Sequence, residues 1–193
     1  MPKRSTRPAS AQATRFALRE ATAAEHARTD ATFGRLSLTA AADYALFLAA
    51  HHRALCCCLD HVARHWPEGA LPARLADDLA ADLEALGCGV PAAIPGTPLD
   101  GADPRGVAYV VAGSHLGAKV LRKRWGESAD PRVQAAGRYL ASDDLHAYWP
   151  RLLQRLKAVD PGSAAFAGLA SAATATFALF IDALAGIEMG ESG

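Results

Sequence analysis

Apolar residues recur at spacings of three and four along nearly the whole chain, and the Val/Ile runs that would signal strands are short. Three Asp-Pro pairs, Asp103-Pro104, Asp130-Pro131 and Asp160-Pro161, stand where helices should begin. There the carboxylate can accept from free amide N–H groups, and Pro, lacking an N–H, suits the first turn. Gly87, Gly89 and Gly126 stand where helices should stop. The pattern predicts an all-α, single-domain helical bundle. Helices are expected over 11–30, 39–66, 72–86, 104–125, 131–140, 143–158 and 163–188, with a Gly/Pro-rich loop at 87–101. The first ten residues read as a disordered tail and 189–193 as a second tail, which leaves one domain over 11–188.

Lys plus Arg and Asp plus Glu each number 20, so the net charge is zero and nothing global favours nucleic acid. Charge is clustered all the same. Lys3, Arg4, Arg7, Arg15 and Arg19 precede the first acid, Lys119 to Arg124 form a second basic run, and Asp77, Asp78, Asp82 and Glu84 an acidic one. Solvated helix faces are the plain reading; an anionic ligand or acidic partner is the other. Cys56, Cys57 and Cys58 are consecutive and diverge by about 100° each on a helix, so they cannot cage a metal together. With Cys88 they read as reduced thiols of a cytoplasmic protein. Between Ser163 and Ile187 the only charge is Asp182. That length can span a bilayer, but Ala, Ser, Thr and Gly dominate it, so a core helix rather than a membrane anchor is expected.

Two segments carry candidate chemistry. In the first helix Arg19, Thr22 and His26 share one face. A His there is either a satisfied core residue or, with a cation two turns away, a ligand for haem iron beside a partner for a haem carboxylate. In the 104–125 helix Tyr109, Gly113 and Gly117 follow at steps of four. Each interior glycine costs roughly 1 kcal/mol relative to Ala. Either a neighbouring helix packs closely on them, or a flat ligand lies against bare backbone.

The segment Leu18-Arg19-Glu20-Ala21-Thr22 followed by His26 resembles the proximal helix of haem oxygenases. Tyr109, then Gly113-Ser114, then Leu116-Gly117-Ala118, resembles their distal helix in its bacterial, biliverdin-producing form. The resemblance implies a haem-oxygenase-like bundle with haem between the first and distal helices, and it extends over most of 11–188. It implies His26 as the iron ligand and Arg19, Thr22 and Tyr109 as further haem contacts. Gly113, Ser114 and Gly117 would be the catalytic distal wall. Phe177 and Phe180, at core spacing in the last helix, would border the haem. The implied reaction cleaves haem with dioxygen to biliverdin, carbon monoxide and free iron. Its electrons would come from a ferredoxin or a flavoprotein reductase, and a bacterial phytochrome is one recipient of the biliverdin.

The chain departs from that pattern where some relatives have Asp and it has Ser114, and where bacterial members often have Asn and it has His115. A haem carrier or sensor without turnover is therefore the alternative. His115 reads as a packing residue, and His51 and His52 as packing residues or distal polar groups. His61 and His65, four apart, read as exposed. A thiaminase-like reading would need a nucleophilic cysteine, and none here carries that signature.

Overall fold

The computed structural model describes residues 11–190, so the expected N-terminal tail lies outside the described residues. Ten α-helices and no strand occur among them: α1 (Ala11–Ala21), α2 (Ala23–Gly34), α3 (Ala41–His65), α4 (Arg74–Ala85), α5 (Pro104–Ser114), α6 (Ala118–Gly126), α7 (Pro131–Ala135), α8 (Arg138–Ala141), α9 (Asp144–Leu156) and α10 (Ala164–Gly190). The all-α expectation holds. α10 is the central post, packing on α3, α5 and α2 through Leu169, Ala173, Phe177, Phe180 and Leu184. It is long and apolar enough to cross a membrane by length and composition. The bundle uses the same apolarity to fill its core. The helix runs on through Met189 and Gly190, which corrects the expected tail at 189–193.

One glycine sets how close two helices come. A Cβ on Gly106 would lie 2.4 Å from the Leu169 carbonyl oxygen and 2.8 Å from Ala172 Cβ. Only a bare backbone lets α5 reach α10 at that point.

Three expected helices are each broken in two. The first bends at Thr22, which takes a non-helical φ of −107° and ψ of 7°. The 104–125 helix breaks into a 3-10 turn over His115–Gly117. The 131–140 helix divides at Gly137, where a Cβ would meet the Trp125 ring at 2.6 Å.

Two polar residues expected at the surface are buried. Asp82 is fully buried, and its oxygens accept from the N–H groups of Arg138 and Tyr139, both at 2.9 Å. It thus caps α8 from another helix. Burial pushes its carboxyl upward, more than these two bonds hold it down. His61 is 6% exposed and bonds through Nε2 to the Ala102 carbonyl at 3.0 Å. Asp82→Ala strands two amide donors, so a loss of about 2–4 kcal/mol is expected in urea unfolding. An unchanged midpoint would refute the capping role.

Candidate functional site

His26 lies on α2, four residues past the bend at Thr22. Its side chain is 59% exposed, and Nδ1 sits 3.1 Å from Asp30 Oδ2. Nε2 has no protein partner among the described residues, so it is the ring nitrogen open to a metal, while the carboxylate beside Nδ1 is of the kind that orients ligating imidazoles. The ring stands edge-on to Phe177, centroids 5.5 Å apart, so α10 supports it from below. Asp30 belongs to neither sequence motif; its signal is the four-residue step from His26 on the same helix.

Thr22 is buried, and its hydroxyl donates to the Leu18 carbonyl at 2.8 Å. It belongs to the inside of the bend, whereas Arg19 and His26 reach solvent. The bend, rather than a shared surface face, relates these three residues.

α5 supplies the second half of the site. Tyr109 is 8% exposed, with its ring 5.7 Å from that of Trp149 on α9. Burial raises its phenol pKa, and the nearby Arg15 and Arg19 charges oppose that rise. The Arg15 and Arg19 charges both act on Tyr109, and Trp149 packs on its ring. The Arg15 guanidinium lies 5.8 Å from the Trp149 ring and 5.9 Å from Phe16. Arg15 stood in the basic N-terminal run; its step of four to Arg19 was the available signal.

Gly113 and Gly117 are not held bare by a close helix–helix contact among the described residues. A Cβ on Gly117 would meet nothing within 4 Å, and one on Gly113 only the Trp149 ring, at 3.6 Å. Gly117 is exposed, while Gly113 is half-buried beside Trp149 of α9 with room for a methyl group. Leu116 and Val120 beside them are exposed apolar side chains, as is Phe16 on α1. Ser114 is exposed, and its hydroxyl donates back to the Val111 carbonyl at 2.8 Å, closing the end of α5. The side chain of His115 lies outside the described residues.

Phe180 is turned elsewhere. With Phe33, Phe47 and Tyr139 it encloses His51, whose Nδ1 bonds the Phe47 carbonyl at 2.8 Å. Burial there lowers the His51 pKa to about 4. His51 is a part-buried residue in contact with Phe180, and its surroundings disfavour the charged form. His52 sits 3.7 Å from Cys56 Sγ, and burial lowers its pKa.

A surface cavity of about 680 Å³ lies apart from these groups, between His65, the loop before α5, and Ser171 of α10. Its Arg105 is already held by Asp103, Nη2 to Oδ2 at 2.6 Å. No group of three or more His, Cys, Asp or Glu side chains suited to a metal occurs among the described residues. No protein-family model and no curated protein matches the chain, so the reading of the site rests on its own residues.

Proposed function

We propose that this chain binds haem through His26 and cleaves it to biliverdin, carbon monoxide and free iron, using dioxygen and electrons from a ferredoxin or flavoprotein reductase. A haem-oxygenase-like bundle working in the cytoplasm is the finer reading of its all-α fold. The observation that carries the proposal is His26: an exposed imidazole, tied to Asp30 at Nδ1, with Nε2 free. The residues present fit the group. His26 would hold the iron, Phe177 would support the imidazole, and Arg19 and Tyr109 would hold carboxylates at the haem edge. Bound haem supplies the redox and oxygen chemistry. The chain's own part is position. Bare backbone at Gly113 and Gly117 leaves room close to one face of a flat ligand. Exposed Phe16, Leu116 and Val120 offer apolar surface for it to cover.

A carrier or sensor is the second reading, and Ser114 favours it. Its hydroxyl is occupied by Val111, so it is a weak organiser of water beside a ligand.

Haem titration tests the proposal. The unmutated protein should give the spectrum of an imidazole-ligated haem. His26→Ala should lose it, and added imidazole should restore it. An unchanged spectrum in the variant would remove His26 from the site. Bilin formation with reductant in air then separates enzyme from carrier.

A further inference from the structure

His61 and His65 stand one turn apart at the end of α3, with ring centres 4.7 Å apart and planes at 41°. With metal–nitrogen distances of about 2.0–2.1 Å, two imidazoles on one ion hold their ring centres roughly 4.5–5 Å apart. The observed spacing falls inside that range. The two rings are held differently. His61 is buried, and its Nε2 meets the Ala102 carbonyl at 3.0 Å. A carbonyl only accepts, so Nε2 carries the hydrogen, and in the neutral ring the lone pair sits on Nδ1. Nδ1 has no hydrogen-bond partner among the described residues. A carbonyl that fixes one ring nitrogen and leaves the other open is a common support of a ligating imidazole. His65 is exposed, with no hydrogen bond or ion pair among the described residues. The charges around the pair suit a cation. Arg64, between the two in sequence, is held by Asp60. Asp100 lines a cleft with both histidines and has no ion-pair partner among the described residues.

We propose that His61 and His65 form a two-imidazole site for a divalent transition-metal ion of the Ni²⁺, Cu²⁺ or Zn²⁺ class. Nδ1 of His61 and a ring nitrogen of His65 are the protein ligands. Imidazole suits these ions, whereas Mg²⁺ and Ca²⁺ take oxygen ligands. Two protein ligands leave the other positions to water, and Asp100 adds negative charge to the same cleft. Because His61 is also bonded to Ala102, the ion would fasten the end of α3 to the segment before α5. The site is separate from His26 and does not depend on the haem reading.

Isothermal titration of the full chain with Ni²⁺, in a non-chelating reductant, tests the proposal. The unmutated chain should take up Ni²⁺ at one site. His65→Ala, at an exposed position, should weaken that binding by about tenfold or more, because the second ligand of a pair acts at high effective concentration. His61→Gln, which keeps an N–H for the Ala102 carbonyl, should do the same; if it fails to fold, His65→Ala decides alone. His146→Ala, which removes an exposed histidine of α9, should change nothing. Uptake that survives His65→Ala would place the ion elsewhere. Equal weakening by His146→Ala would mark unspecific binding to surface imidazoles. No uptake by the unmutated chain would leave the pair as a plain ring contact. Each of these three results overturns the proposal.

Discussion

On the proposed haem-cleaving reading, Gly117→Leu should fold, bind haem with an unchanged ferric spectrum, and form bilin about a hundredfold more slowly, ~2.7 kcal/mol of barrier. Folding should survive because a Cβ at this position meets nothing within 4 Å. The 3-10 turn over His115–Gly117 also tolerates a side chain, since Gly117 sits at φ −83° and ψ −9°, right-handed geometry open to any residue. Haem ligation should survive because His26 belongs to a different helix and is held by Asp30 and Phe177. What changes is the space over one face of the ligand, where a leucine side chain would occupy the room that dioxygen needs. The measurements are bilin yield under reductant and oxygen, melting temperature and ferric spectrum. Full yield from a folded variant would sink the distal-wall assignment. A protein that makes no bilin even unmutated, given a competent donor, would be the carrier. Gly117→Ala should lose roughly 0.5–1 kcal/mol of stability, because Gly117 is the N-cap of α6, where Gly is preferred over Ala.

Stability should fall by about 3 kcal/mol as the pH drops from 6.5 to 4, through His51. Its pKa in the folded chain is about 4, against an ordinary 6.5, because it is enclosed by Phe33, Phe47, Tyr139 and Phe180. The unfolded chain takes up a proton first, so acid draws the equilibrium toward unfolding across that interval, by about 1.4 kcal/mol for each step of one in pH. Above the ordinary value both states are neutral and the effect is absent. Below about 4 both are charged and the loss is complete. His51→Leu should flatten this part of the profile relative to the unmutated protein. Urea midpoints for both proteins at neutral pH and at a pH just above the folded value make the comparison. Parallel profiles would show that His51 is not kept neutral by the core.

The helix pattern was legible because burial on one face writes itself into spacing. α3, for example, buries Tyr44, Phe47, Leu48, Leu55, Cys58 and Val62 at three- and four-residue steps. The breaks at Thr22 and at His115–Gly117 were not, because the backbone leaves the helix there while the apolar rhythm continues. Asp82 and His61 were misread for a related reason. A polar residue on a helix looks solvated until the partner that satisfies it is known, and those partners, α8 and the Ala102 carbonyl, are 56 and 41 residues away in sequence. In the candidate site the residue types announced themselves: a His beside an Arg, and a Tyr followed by spaced glycines. The stacking of Arg15 on Trp149 could not be read, because only the fold brings that ring, from far along the chain, under its guanidinium.

The two kinds of glycine on the α5–α6 stretch answer to different masters. Gly106 is demanded by the carbonyl of Leu169, and Gly117 by nothing within the protein. If the proposed haem cleavage is what keeps Gly117 bare, a descendant without that activity would be free to drift there, while Gly106 stayed fixed for as long as the bundle itself persisted.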